Sequence, residues 1–526
     1  MANRFTKSVA TGARAAALGL TFAAPLWAQE GDVRTKQYDD GGVYEGTFKD
    51  GLQHGTGTYR LPNGYEYTGD WVEGEILGTG VARFPNGSVY EGEFAKGKPS
   101  GIGKIVFSDG GTYEGEWEDG KIMGQGVANY ANGVRYEGGF RNAMHHGRGR
   151  MESPGGYVYD GDWVNGVKEG LGTITYPDGA VYEGEILRGA REGQGKLTMP
   201  DGLIYEGTWK DGQINGTGTL TQPNGDVYEG ELVSGRREGR GKVTYANGDV
   251  YDGQFRDDQR HGEGTFTGSD GYTYSGNWIA GRIEGDGRVV YPDGSVYEGQ
   301  FRNDLADGTG KITYPDGATY EGAWKAGVID GEGVATYPNG LVYEGAFKDA
   351  KNHGKGVMTY PDGYRYEGDW VAGQRDGTGK ATYPDGTVYE GEFKDGQRHG
   401  TGTITMADGF RYEGQWQAGE ISGAGKATYA NGDVYEGQFK DGRRQGEGTM
   451  TYASGEERSG TWQNGALSDD TAPAEAVPDT SDATPEAPAE GAEGTEPPAE
   501  GADTTEAPAG NAPPAPADES TGAGTD

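Results

Sequence analysis

The stretch that decides the fold is Tyr297-Glu298-Gly299-Gln300-Phe301-Arg302-Asn303-Asp304-Leu305-Ala306-Asp307-Gly308-Thr309-Gly310-Lys311-Ile312-Thr313-Tyr314-Pro315-Asp316-Gly317-Ala318-Thr319. Tyr297, Gly299 and Phe301 alternate with Glu298 and Gln300, the period-two pattern of a strand with one buried face. After a polar stretch, Gly308, Gly310, Ile312 and Tyr314 alternate with Thr309, Lys311 and Thr313, a second strand. Pro315-Asp316-Gly317 then ends it. Proline presets the first turn position and glycine accepts a left-handed one, the chemistry of a type I turn closed by a glycine bulge. Each such unit predicts one β-hairpin, and each junction another.

The unit recurs at a period of 23 residues without a single insertion. Tyr-x-Gly stands at Tyr44, Tyr67, Tyr90 and every 23rd residue thereafter to Tyr435, and a degraded nineteenth copy begins at Arg458, keeping Gly460 and Trp462. Nineteen units over 44–465 predict a continuous antiparallel meander, stabilised by neighbour contacts and ended by an atypical copy. At about 4.8 Å per strand each unit advances roughly 10 Å, so the array should approach 180 Å before twist. Parity suggests a register in which Phe301 faces Gly308, Gly299 faces Gly310 and Tyr297 faces Ile312. Across the junction, Gly308 then meets Trp324, Gly310 meets Gly322 and Ile312 meets Tyr320. Glycine weakens a strand interior by about 0.5–1 kcal/mol, so its retention predicts aromatic rings lying flat on the bare backbone of the neighbouring strand. Phe and Trp alternate at the large aromatic position, from Phe48 and Trp71 onward, with Ile186 and Leu232 at two Phe-type positions and a phase slip between Leu232 and Phe255. The deeper repeat is thus a 46-residue pair.

Composition supports this reading. Glycine accounts for 103 of 526 residues and apolar types for only 33%, while 34 Tyr, 14 Phe and 10 Trp supply the area that sparse aliphatic residues cannot. The flanks differ in kind. Residues 1–28 run from Arg4, Lys7 and Arg14 into a short apolar stretch ending near Ala28, the layout of a cleaved signal peptide and an expectation of a periplasmic or secreted location. A short leader, 29–43, precedes the repeats. From 466 to 526 the chain is rich in Pro, Ala, Glu, Thr and Gly, with 15 acidic and no basic residues, and disorder is expected there. There is no cysteine, which excludes disulfides, thiol catalysis and thiolate metal sites. A formal charge of −37 disfavours nucleic acid and direct binding of anionic lipid as partners.

The chemistry-bearing residues read as structure. Of six histidines, His54, His146, His261, His353 and His399 share one repeat position; His353 and His399 are two units, roughly 20 Å, apart, too far to share an ion whose ligands must lie within about 2 Å of it. Glu298, Glu321 and Glu344 recur in equivalent surroundings, which denies them the asymmetry that glycoside hydrolysis requires. Asp178, Asp293, Asp316, Asp362 and Asp385 sit in turns where Asn86, Asn224 and Asn339 also stand, against a calcium site. Gly-x-Gly falls within strands rather than before helices, so it is no phosphate loop. No catalytic residue, metal site or cofactor is expected. The one surface with a functional reading is the aromatic ladder, Trp71, Trp117, Trp163, Trp209, Trp278, Trp324, Trp370, Trp416 and Trp462, as core or as an open stacking groove.

The string Tyr389-Glu390-Gly391-Glu392-Phe393-Lys394-Asp395-Gly396-Gln397-Arg398-His399-Gly400-Thr401-Gly402 resembles the MORN repeat consensus, and the 23-residue period agrees. The resemblance covers most of the chain and implies an all-β, elongated single-layer antiparallel β-hairpin array. It implies a scaffold, spacer or dimerisation module; the lipid association of some members fits poorly with an acidic array. The leading expectation is a non-catalytic exported rod that binds a protein partner or itself. The alternatives are an envelope glycan binder using the aromatic groove and, third, a membrane-associating protein.

Overall fold

The computed structural model describes residues 32–468. The expected signal peptide, and the tail beyond Ser468, lie outside the described residues. Two compact units are present, Met1–Ala190 and Arg191–Asp526, the division falling at the start of β15 (Ala190–Thr198). Their described parts hold strands and turns alone. In each unit consecutive strands pair antiparallel and pack chiefly on their chain neighbours, one sheet layer deep. The first unit runs from β1 (Arg34–Gln37) and β2 (Val43–Lys49) to β14 (Val181–Leu187). The second ends at β38 (Glu457–Gln463) and β39 (Ala466–Leu467).

The unit quoted above folds as β24 (Val296–Arg302) and β25 (Leu305–Thr313), followed by β26 (Thr319–Lys325) of the next. Most of the expected register is present. Tyr297 pairs with Ile312 and Gly299 with Gly310; across the junction Gly308 pairs with Trp324, Gly310 with Gly322 and Ile312 with Tyr320. One pairing differs. Phe301 faces Ala306 rather than Gly308, because a bulge shifts the register between Gly299 and Phe301. Gly308 takes φ +115° there, a region that glycine enters without a Cβ penalty. The bulge leaves the Thr309 amide free of the ladder, and it donates instead to Gln300 Oε1 at 3.1 Å. Glutamate does the same in sister units: Glu392 accepts from the Thr401 amide at 2.9 Å and its hydroxyl at 2.7 Å.

Two turns alternate. The hairpin turn is a residue pair with positive φ at both places, as at Asn165 (50°) and Gly166 (87°), the type I′ geometry that matches strand twist. At the junction, Tyr314 N donates to Ala318 O at 2.9 Å and Gly317 N to Tyr314 O at 3.0 Å, while the Asp316 carboxylate accepts from Ala318 N at 2.9 Å. This is the turn that Pro-Asp-Gly indicates.

The core occupies one face of the sheet. Tyr297 is fully buried, with its hydroxyl donating to Gln300 O at 3.0 Å. Its ring covers the paired glycines: a Cβ on Gly310 would fall inside the ring, and one on Gly299 would strike the Gly310 backbone. The flat ring over bare backbone is thus the tyrosine's. Phe301 and Trp324 meet it edge-on, each with centroids 5.1 Å away, a favoured aromatic geometry. Repetition makes a ladder in which a tyrosine touches the large aromatic of its own unit and of the next.

Both ends depart from the expected boundaries. The leader is not structureless throughout, since β1 pairs with β2 and the turn between them, Tyr38-Asp39-Asp40-Gly41, closes as the junction turns do. At the other end Ala466 and Leu467, assigned by composition to the tail, form β39 against Gln463 and Trp462.

Candidate functional site

All nine ladder tryptophans lie in the interior of their units, 2–8% exposed. Their indole nitrogens are occupied as well: Trp324 Nε1 donates to Gly310 O at 3.2 Å, Trp416 to Gly402 O at 3.1 Å and Trp163 to Gly149 O at 3.1 Å. An open groove lined by Trp71, Trp117, Trp163, Trp209, Trp278, Trp324, Trp370, Trp416 and Trp462 is therefore not what the structure presents. The rings are core. Stacking a sugar on them would require lifting the side chains that cover them.

Those covering side chains escaped sequence reasoning. One set is cationic and stands nine residues after the repeat tyrosine. Arg398 lies 4.5 Å over Trp416 and donates to Gly419 O at 2.9 Å; Arg260 lies 4.9 Å over Trp278 and donates to the Tyr245 hydroxyl at 2.8 Å. Burial pushes the Arg398 guanidinium below its usual range. Arg191 sits 4.1 Å over Trp209. A separate row of aromatics flanks the junction turns and packs on itself, where Tyr364 and Tyr383 approach to 5.0 Å and Phe410 and Tyr429 to 5.6 Å. Their signal in the sequence was the tyrosine before Pro-Asp-Gly, together with an apolar or aromatic residue two before the repeat tyrosine. Burial likewise raises ladder phenols such as Tyr44, to about 12.

The histidines divide by position. His54 and His146 accept from the backbone amides of Glu73 and Asn165, at 3.5 and 3.4 Å, each supporting the hairpin turn of the following unit. Glu238 and Glu284 accept from Asp257 and Asn303 in the same way, both at 3.0 Å. His145 instead stacks on Tyr136 with centroids 3.7 Å apart, its Nε2 is 2.7 Å from the Tyr130 hydroxyl, and burial lowers it to about 4. Among the described residues, no three ligating side chains converge as a metal would need.

With the rings enclosed, the surface that each unit offers is the opposite face. In the second unit it forms a trough of about 1580 Å³ reaching from Glu298 to Gly391. Its floor is paired glycine backbone, Gly310, Gly322, Gly333, Gly345 and Gly356 among them, and its sides carry Glu298, Glu321, Glu344, Glu367 and Glu390 with Lys311, Lys355 and Lys380. The ladder register places these charges opposite one another, Glu298 with Lys311 and Lys311 with Glu321, the latter pair 3.3 Å apart. Glu344 stands between Val334 and Val357. Such exposed pairs contribute little stability. Glu392, on the adjoining row, is held below the usual carboxylate range by the hydroxyl and amide of Thr401, the opposite of the raised acid that general acid catalysis calls for.

Comparison with known proteins adds the family. No curated protein matches the chain in sequence. Solved structures with local likeness include the G-box domain of the microcephaly protein CPAP (19% identity, 43% of this chain and 100% of that one, TM-score 0.17). Others are the Danio rerio CPAP TCP10 domain in complex with a STIL peptide (15%, 64% and 97%, TM-score 0.12) and a streptogramin B lyase (12%, 55% and 90%, TM-score 0.11). Superpositions of that quality carry no argument about this chain. The model of the MORN repeat, by contrast, matches eighteen consecutive copies, from residues 44–64 and 67–89 through to 412–434 and 435–457, stopping before the degraded copy at Arg458. With its tyrosines, glycine pairs and 23-residue period accounted for unit by unit, the chain belongs to the MORN repeat family.

Proposed function

We propose that the chain is a non-catalytic, exported scaffold that offers the glycine-floored face of its repeats to a protein partner. The observation that carries this reading is the sameness of the units. Tyr297, Tyr320 and Tyr343 each spend their hydroxyl on the carbonyl three residues on, at 3.0, 2.9 and 2.9 Å. The ladder tryptophans spend their indole N–H on glycine carbonyls. What repeats outward is a row of Glu, Lys and Thr at fixed register, a surface that can be read at many points but gives no single side chain a special environment. Catalysis depends on a distinct environment for its acid or base; extended recognition does not. The signal-like start, Arg4 to Ala28, supports export.

Cross-linking in intact cells followed by fractionation tests both parts. The expected result is a chain recovered outside the cytosol, with cross-links from the second unit mapping to residues of the trough. Recovery in the cytosol would overturn export. Cross-links confined to the turns, with none on the glutamate row, would overturn the assignment of the face.

A further inference from the structure

The described array begins and ends in the middle of a unit. β1 has the register of a second strand: Gln37 pairs with Val43, Lys36 with Tyr44 and Arg34 with Gly46, as Thr313, Ile312 and Gly310 pair with Thr319, Tyr320 and Gly322 in a complete junction. The first strand that should precede it is missing from the sequence. The residue 23 before Tyr44 is Thr21, and Ala23 stands where the glycine would be. The far end is the converse. β38 is a first strand, with Arg458 at the tyrosine position followed by Gly460 and Trp462, and its partner β39 pairs only with Trp462 and Gln463. Where the second strand would continue, the glycine positions hold Asp469 and Thr471, and Pro473 takes the place of the aliphatic residue, a position where proline cannot donate to a ladder.

The two ends are complementary halves. Carrying the array's own register from one copy to another would pair β1 of the first with β38 of the second, setting Gln37 against Glu457, Lys36 against Arg458, Thr35 against Ser459 and Arg34 against Gly460. Open edges of this kind are templates for further strands, and such a head-to-tail contact does not close. Yet on the core face of that seam the tyrosine, aliphatic and glycine of a normal unit are replaced by Arg458, Lys36 and Arg34. Like charges directly opposite in a sheet repel; Arg34 and Arg458 have carboxylates beside them, Asp32 at 4.0 Å and Glu456 at 3.1 Å, both exposed, while Lys36 would directly face Arg458 across the seam. All four residues of β1 are exposed, so these charges stay in water while the edge is free and lose it when the edge is covered.

We propose that the ends of the array are two halves of one hairpin unit, matched to a second copy head to tail and kept apart by Arg34, Lys36 and Arg458. The guard fixes the length of the array at one chain. A charge-swap cycle on the full chain, read by sedimentation velocity at low and high salt, tests it. The wild type should run at the mass of one chain at every concentration. K36E, which sets a carboxylate against Arg458 of the next copy, and R458E, which sets one against Lys36, should each at least double in weight-average mass as concentration rises, and revert in high salt. The double variant K36E/R458E restores like charges and should return to one chain. Growth of the wild type, single variants that stay at one chain while unchanged in circular dichroism, or a double variant that still grows would each overturn the proposal.

Discussion

Replacing Gly310 with Ala probes the contact on which each unit rests. The added Cβ would sit inside the Tyr297 ring, against its hydroxyl end. The ring is fully buried and cannot swing outward without giving up its contacts. Moving it breaks the hydroxyl bond to Gln300 O, worth about 1 kcal/mol net, and disturbs two edge-on contacts, to Phe301 and Trp324, at about 1 kcal/mol each. Repacking around an overfilled site adds roughly 1–3 kcal/mol. The expected loss is roughly 4–6 kcal/mol, confined to the neighbouring strands. Because repeat arrays do not unfold as one cooperative body, the assay is amide hydrogen exchange resolved by strand, with the first unit as internal reference. Exchange in β24, β25 and β26 should accelerate by at least a hundredfold, a factor corresponding to about 2.7 kcal/mol, while the first unit stays unchanged. A double-mutant cycle isolates the cause: in a Tyr297→Leu background the same glycine substitution should cost less than about 1 kcal/mol, since the ring is gone. An equal cost in both backgrounds, or a cost below 1 kcal/mol (roughly, the scale of a generic strand substitution) in the wild type, would refute the reasoning.

Three further outcomes are expected. Ala350 holds φ 60° in a hairpin turn where sister units place glycine, as at Gly396, so Ala350→Gly should stabilise by roughly 1 kcal/mol, read as slower amide exchange in β28 (Val342–Lys348) and β29 (Lys351–Thr359). His145, lowered to about 4 in the fold, has a reference value near 6.5 when unfolded; between those values the unfolded state binds a proton that the fold does not. Stability of β10 (Arg135–Arg141) and β11 (Met144–Glu152) should therefore fall as pH drops from about 6.5 to 4, by roughly 2 kcal/mol, and His145→Gln should flatten that slope in strand-resolved exchange. Glu392→Ala removes the acceptor for both Thr401 donors and should cost about 1 kcal/mol, visible as faster exchange of the Thr401 amide, whereas Glu392→Gln, which keeps an acceptor, should cost less.

How far the sequence could be read depended on what parity can see. Strand faces, the junction turn and the junction register follow from period two and from Pro-Asp-Gly, and the structure keeps them; the type I′ hairpin turn, read only as a polar stretch, does not follow from them. The bulge was invisible to that logic. Ala306 and Gly308 share parity and both are small, so facing Phe301 with either satisfies the pattern, and the amide that chooses between them is answered by Gln300, a residue that reads only as solvent-facing. The tryptophans failed for a different reason. Whether a ring on a thin sheet is open depends on what reaches over it, and Arg398 and Arg260 come from neighbouring strands, at spacings that period two does not link to Trp416 or Trp278. The ends failed because composition hid them: Arg34 and Lys36 disguise β1 as leader, though Tyr38-Asp39-Asp40-Gly41 carries the junction turn in plain form.

The aromatic rings form the interior of the array, closed to a ligand from outside. Collisional quenching of tryptophan fluorescence in a Trp27→Phe chain, which leaves only the nine ladder indoles, tests this most directly. The structure predicts blue-shifted emission, strong protection from iodide and acrylamide, and no change on adding envelope polysaccharide. Red-shifted emission quenched as readily as free tryptophan, or a spectrum that responds to the polysaccharide, would contradict it.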